Sequence, residues 1–281
     1  MKNIYIKNEE ELNSKINSIK KAGRRNLHIV SDFDKTLSPA FIRGKEVRST
    51  VAILRNEGYL TPDYPVRAQK LFNQYHPIEI DPEIPLEEKM EKMEEWWKKH
   101  FVLIIECGLN RSDIQDIIDN RFVELRKGCD NFLKTLDKYD IPFLIFSASG
   151  LGDIISMYLE SQKLLSPNIY IITNYFVFDR KGKAIDFQRP IIHSFNKGEI
   201  ALQDLPYKKE IEKRRNVILL GDSLGDIDMI KGLDHDTVIK IGFLNENVEK
   251  NLERYKEAYD AVITNDGDFE YINSIINSIL G

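Results

Sequence analysis

A chain of 281 residues, 42% hydrophobic and 30% charged, is long enough to bury one large core or two modest ones, which excludes wholesale disorder. Forty Lys and Arg against 45 Asp and Glu leave a net charge of −5, a poor match to a general binder of nucleic acid or of anionic membrane. Cys107 and Cys129 cannot by themselves build a disulfide framework or a zinc site, and the five His show no H-x-H or H-E-x-x-H spacing.

The N-terminal residues lack the apolar core and small-residue cleavage pattern of a signal peptide. No stretch reaches the ~18–20 apolar residues of a membrane helix. The expectation is a cytoplasmic monomer that acts on a small molecule, with no nucleic-acid or membrane partner.

In chain order, Leu12, Ile16 and Ile19 share one helical face ahead of the first strand-like run, at 27–30. Further apolar runs follow at 141–146, 169–173, 217–220, 238–241 and 261–263. They lack clean alternation, as strands do when a parallel sheet is covered on both faces. Helical patterns lie between them: Phe132, Leu133 and Leu136; Ile154, Ile155, Tyr158 and Leu159; Ile227 and Ile230. Strands alternating with helices predict an α/β fold built on a doubly wound parallel sheet.

The rhythm breaks between residues 39 and 127. Prolines at 62, 65, 77, 82 and 85 punctuate this segment, and a stripe of Leu86, Met90, Met93, Trp97, Phe101 and Ile104 then follows at helical spacing. The predicted organisation is a core of residues 1–38 and 128–281, with a helical insertion at 39–127 after the first core strand.

The strand-like runs end in polar residues. The first leads into Ser31-Asp32-Phe33-Asp34-Lys35-Thr36, the second into Ser147-Ala148-Ser149-Gly150, and the fourth into Gly221-Asp222-Ser223-Leu224-Gly225-Asp226. In a parallel sheet these ends lie along one edge, where ligands bind. Gathered carboxylates repel one another and call for a cation, and Mg²⁺ is the natural partner of carboxylates and a substrate phosphate. Lys197 would add a second positive charge at an expected helix start. Singly, each feature has a plainer reading. A lone D-x-D is commonly a turn, Ser147 could bond backbone, Asp222 could cap a helix, and Lys197 could be a solvated helix residue. Their joint occurrence at strand ends is what points to a site. Gly221-Asp222-Ser223-Leu224 also spells the start of a GDSL esterase motif, but it falls late in the chain and lacks the D-x-x-H that those enzymes need.

D-x-D-x-T after a strand, a strand-end Ser, a later Lys and G-D-x-x-x-D resemble the four motifs of the haloacid dehalogenase-like (HAD) phosphohydrolase superfamily. Longer stretches resemble the cytosolic 5′-nucleotidase III family across nearly the whole chain. They are S-D-F-D-K-T-L-S at 31–38, P-I-E-I-D-P at 77–82, E-W-W at 95–97, I-P-F-L-I-F-S-A at 141–148, H-S-F-N-K at 193–197, I-L-L-G-D-S at 218–223 and K-I-G-F-L-N at 240–245. The resemblance implies a HAD core with a helical cap and Mg²⁺-dependent hydrolysis of nucleoside 5′-monophosphates, of pyrimidines in one branch and 7-methylguanosine in another.

It also implies roles. Asp32 would be the nucleophile that forms an aspartyl-phosphate, and Asp34 the general acid and then base. Asp32, the main-chain carbonyl of Asp34, and Asp222 would hold Mg²⁺. Ser147, the amide of Ala148, and Lys197 would hold the phosphate. Glu79 falls on the cap glutamate that contacts the base and Trp97 on a stacking aromatic. His100 stands where the family has a substrate-contacting Ser. A Trp face attracts a cation by roughly 0.5–2 kcal/mol, which suits the charged 7-methylguanine ring; Trp97 on its apolar stripe also suits plain core packing. A HAD phosphatase or phosphotransferase for another small phosphorylated metabolite, and a nucleotide-binding regulator, are the rival readings.

Overall fold

The computed structural model describes residues 3–47, 50–198 and 206–281. The chain opens with a short strand β1 (Ile4–Ile6) and helix α1 (Glu9–Ala22). Asn8 caps α1 by accepting the Glu11 amide, acids fill its first turn and lysines its last, and Gly23 ends it at φ +82°. Strand β2 (Leu27–Asp32) follows, buried at every position.

The insertion comes next: a hairpin of β3 (Phe41–Ile42) and β4 (Lys45–Glu46), then α2 (Thr50–Asn56), α3 (Tyr64–Ile80), α4 (Leu86–Glu106) and α5 (Arg111–Asp119). The chain returns through α6 (Cys129–Lys138), β5 (Phe143–Phe146), α7 (Asp153–Ser161) and β6 (Ile169–Ile172). A hairpin of β7 (Phe176–Phe178) and β8 (Ala184–Phe187) precedes α8 (Lys208–Ile211) and β9 (Asn216–Gly221). After a 3₁₀ helix at Leu224–Ile230 come β10 (Thr237–Leu244), α9 (Val248–Ala258), β11 (Ala261–Thr264) and α10 (Glu270–Leu280).

All six expected runs are strands, and they pair in parallel in the order β11-β10-β9-β2-β5-β6. β1 adds an antiparallel edge on β11, Ile4 opposite Ile263. Residues of the central strands alternate between two buried clusters. Ile29, Phe143, Ile145, Ile218 and Leu220 join the apolar faces of α1, α6, α7 and α10. Val30, Leu144, Phe146, Val217 and Leu219 join Ile211 of α8 and Met229 of the 3₁₀ helix. Helix α9 covers Leu244 and Val262 at the sheet's other end. Both faces are covered, which explains why the strands read as largely apolar runs, interrupted by His28 in β2 and Lys240 in β10.

Ile29, Ile218 and Ile239 stand abreast across three adjacent strands, all fully buried. Ile218→Ala is expected to cost about 2–5 kcal/mol in urea unfolding, because the cavity is boxed in by fixed backbone; a cost under about 1 kcal/mol would show that this part of the core yields.

Three details differ from the sequence reading. The pattern at Ile227 and Ile230 is a 3₁₀ helix, not an α-helix. The buried face of α4 comprises Met93, Trp96, His100, Phe101, Leu103 and Ile104, while Leu86 is 58% exposed. Trp96 is the more buried tryptophan and Trp97 is half-buried; Trp96 stacks on Tyr75 of α3 at 5.9 Å. The helix start expected at Lys197 runs into residues 199–205, outside the described residues. Among the described residues no helix is long and apolar enough to cross a membrane.

Candidate active site

The strand order reverses at β2, which lies between β9 and β5. Loops leaving the ends of these three strands therefore diverge around one crevice. Asp32 is the last residue of β2, and Asp222 directly follows Gly221 at the end of β9. Phe146 pairs with Asp32, so Ser147 and Ala148 emerge one and two residues beyond it.

Lys197 lies between two of the acids. Its ammonium donates to Asp32 Oδ1 at 2.5 Å and pairs with Asp226 Oδ1 at 2.8 Å. One carboxylate oxygen each from Asp32, Asp222 and Asp226 lies within 4.8 Å of the others. Asp226 is fixed by its other oxygen, which accepts the amides of Asp222 at 3.0 Å and Ser223 at 2.9 Å. A side chain at Gly221 would collide with Asp226, its Cβ coming within 2.5 Å of the Asp226 Cβ. From α9, Tyr255 donates to the Asp222 carbonyl at 2.5 Å, and Tyr259, just beyond it, donates to that of Ser223.

Burial raises the Asp32 carboxyl to about 7 despite the opposing pull of Lys197, with Asp226 and Asp34 adding repulsion. Asp34 keeps an edge to solvent, yet burial is still the largest influence and raises it to about 6 against Lys197 and the Thr50 amide. Asp222 is raised well above the ordinary carboxylate range, first by burial and then by Asp226 and Asp32. Lys197 is held charged: the attraction of Asp226 and Asp32 outweighs burial, and its value rises. Four carboxylates around one ammonium leave an excess of negative charge. The donors of the cluster are hard oxygens without His or Cys, a set that suits an oxygen-seeking divalent cation.

Lys197 arrives on a tethered segment. Asn174 binds Ile192 through both its amide and its carbonyl and also donates to Ser149 O. Asn196 accepts the His193 amide at 2.7 Å and donates to Ile191 O at 2.8 Å. Ser147 is buried; its hydroxyl accepts the Ser149 amide at 3.1 Å and shapes the turn that presents the half-buried Ala148.

The insertion closes over this edge. Thr50 at the start of α2 hydrogen-bonds Ser149 through its hydroxyl. Trp97 is half-buried and packs so closely on Gly150 that a Cβ there would sit 2.6 Å from the indole. Trp97 stacks on His100 at 5.7 Å. Both line a cavity of about 170 Å³ together with Arg55, Tyr64, Phe72 and Trp96. His100 Nε2 lies 3.0 Å from the Tyr64 hydroxyl, and burial lowers the imidazole to about 4, so the ring is neutral. Glu79 does not line that cavity: its carboxylate accepts from Ser194, three residues before Lys197, and meets His76 at 3.2 Å.

A model of the pyrimidine 5′-nucleotidase family (UMPH-1) matches residues 35–280. The chain belongs to that family. Over 278 residues it is 36% identical to the 7-methylguanosine phosphate-specific 5′-nucleotidase of Gallus gallus, spanning 99% of this chain and 96% of that one. It is 36% identical over 266 residues to the protein of the same name from Homo sapiens, spanning 94% and 88%. The crystal structure of cytosolic 5′-nucleotidase IIIB bound to cytidine superposes with a TM-score of 0.87 at 31% identity, covering 99% and 94%. A substrate-bound phosphoserine phosphatase, 18% identical, shares the fold at a TM-score of 0.51. The resemblance drawn from the motifs, and the HAD-like α/β fold it implied, are borne out.

Within this nucleotidase fold the structure brings Asp32, Asp34, Ser147, Ala148, Lys197 and Asp222 to one edge, and Trp97 with His100 into the aromatic cavity of the insertion. Sequence reasoning gave no role to Asp226, although G-D-x-x-x-D spells it out. Its capping of the Ser223 turn hides a second task, that of sharing Lys197 with Asp32. Arg126 was missed altogether, since a basic pair before Gly128 reads as solvated surface.

Proposed function

We propose that the protein is a Mg²⁺-dependent 5′-nucleotidase that hydrolyses nucleoside 5′-monophosphates to nucleoside and phosphate. The observation that carries the reading is the meeting of Asp32, Asp222 and Asp226 around Lys197 at the switch point of the sheet. Asp32 attacks phosphorus and the bond to the nucleoside 5′-oxygen breaks, with Asp34 giving that oxygen its proton. Asp34, now ionised, takes a proton from water; the water oxygen attacks the aspartyl-phosphate, and phosphate leaves as Asp32 is restored. A carboxyl near 6 is suited to both halves, because it exchanges its proton close to neutral pH. Lys197, Ser147 and the Ala148 amide hold phosphate oxygens. Held by Asp32, Asp222 and the Asp34 carbonyl, with Asp226 beside them, Mg²⁺ would neutralise the charge on phosphate and carboxylates.

Residues 39–127 act as the cap and residues 1–38 with 128–281 as the core, in a cytoplasmic monomer. Trp97 stacks on the base, His100 contacts it as a neutral ring, and Glu79 approaches from the edge of α3. Relatives named 7-methylguanosine phosphate-specific 5′-nucleotidases support 7-methyl-GMP as a substrate, and the cytidine-bound neighbour supports CMP.

Phosphate release should be measured on 7-methyl-GMP, CMP, UMP and a sugar phosphate, with Mg²⁺ and with EDTA. Release from nucleotides should require Mg²⁺, and kcat/KM for 7-methyl-GMP should equal or exceed that for CMP and UMP. A clear preference for CMP or UMP retires the cationic-base reading. Release from the sugar phosphate alone retires the nucleotidase.

A further inference from the structure

Arg126 lies where the chain returns from the insertion, between α5 and α6, and is only 3% exposed. Its main-chain amide donates to Leu37 O at 2.8 Å. A guanidinium carries five N–H donors in a fixed plane, and all five are engaged here. Nε donates to Thr36 O at 2.8 Å. One terminal nitrogen donates to Asp266 Oδ1 at 2.7 Å and Gly267 O at 2.8 Å. The other donates to Lys35 O at 2.6 Å and Asn245 Oδ1 at 2.8 Å. The Phe243 ring backs the cation at 4.3 Å.

Three separate stretches of chain thus converge on one side chain. The first is the turn at residues 35–37, immediately after Asp34. Lys35 there holds φ +57°, a left-handed conformation unusual for a residue with a side chain. Its carbonyl accepts both from Arg126 and, at 3.0 Å, from Asn245 Nδ2; its amide donates to Ser38 Oγ at 3.0 Å. The second is the loop carrying Asp266, which also binds the amides of Ala40 and Phe41 where the chain leaves the core. The third is Asn245, the last residue of the K-I-G-F-L-N stretch, which no step of the chemistry uses.

We propose that Arg126, with Asn245, is a positioning residue: it clamps the turn after β2 and thereby aims Asp34 at the leaving oxygen. The inference rests on the reading of Asp34 as general acid. A clamp of this kind matters because a displacement of about 1 Å at a reacting group can cost 10²-fold in rate.

Arg126→Lys keeps the charge and loses the planar fork. Asn245→Ala removes one donor to Lys35 O and leaves Arg126 with Asp266. First-turnover release of nucleoside from a nucleotide should be compared with that of p-nitrophenol from p-nitrophenyl phosphate, whose leaving group needs no proton. Arg126→Lys should slow the nucleotide about 10²-fold and the aryl phosphate less than about tenfold, with KM changed less than about threefold. Asn245→Ala should shift the ratio of the two rates the same way, by less. An unchanged ratio in folded Asn245→Ala protein overturns the proposal, whether or not Arg126→Lys folds. Asp34→Asn run alongside separates the failures. If it too lacks leaving-group selectivity, the acid assignment has failed; if it alone shows selectivity, only the clamp has.

Discussion

Asp32→Asn is expected to lose turnover by about 10⁴-fold or more, the scale on which removal of a covalent nucleophile is felt. In cation-free buffer at pH 8 it should melt no lower than the parent. The first expectation follows from chemistry: an amide oxygen at this position is uncharged and cannot form the acyl-phosphate. The second follows from electrostatics. Burial raises the Asp32 carboxyl from its ordinary 3.8 to about 7. A carboxyl raised in the folded state favours folding while protonated, and that contribution fades as pH climbs from about 4 through 7. At pH 8 the parent therefore carries an unwelcome charge, which Asn relieves, while Lys197 keeps its contact with Asp226 at 2.8 Å. Phosphate-release assays and thermal melts read the two together. A folded variant within about tenfold of the parent rate would remove Asp32 from the nucleophile's place.

The core was legible because burial on both faces makes a strand largely apolar: β5, β9 and β11 are buried at every position, while β2 and β10 keep that character despite His28 and Lys240. The same rule hides the periphery. Ile4–Ile6 is a three-residue edge strand among polar neighbours, too short to stand out from coil. Phe176–Phe178 and Ala184–Phe187 pair across a polar turn and are only three and four residues long, each with exposed positions, so neither stands out as a buried run. In α4 the adjacent tryptophans lie about 100° apart around the axis. Spacing from Met93 allows either to face inward, and the Tyr75 and Phe72 rings of α3 across the interface meet Trp96.

The site divides in the same way. Residues whose chemistry is tied to a strand end, Asp32, Asp222 and Ser147, could be placed from sequence, because a parallel sheet collects its carboxyl ends. Asp226 and Arg126 act through contacts with chain segments distant in sequence. Arg126 reaches residues 90 and 140 positions away, and no local pattern records such a pairing. Glu79 shows the limit from the other side. Its position in P-I-E-I-D was legible, but its partner Ser194 lies on the segment that delivers Lys197.

Asp34→Asn is expected to separate the two halves of the proposed reaction. On a nucleotide the departing 5′-alkoxide needs a proton, so nucleoside release in the first turnover should fall about 10²–10⁴-fold. On p-nitrophenyl phosphate the departing phenolate is stable unaided, and the first turnover should lose far less. The second half, attack of water on the phosphorylated Asp32, still needs a base that Asn cannot supply. The variant should therefore release a burst of p-nitrophenol close to one per active site and then turn over slowly, while showing no burst of nucleoside. The parent group is suited to both duties because burial raises it to about 6 while Lys197 and the Thr50 amide hold it from rising further. Rapid-quench measurement on both substrates checks this. Equal first-turnover losses on nucleotide and aryl phosphate would mean that Asp34 orients the phosphate and does not protonate the leaving group, and the clamp assigned to Arg126 would then have no acid to aim.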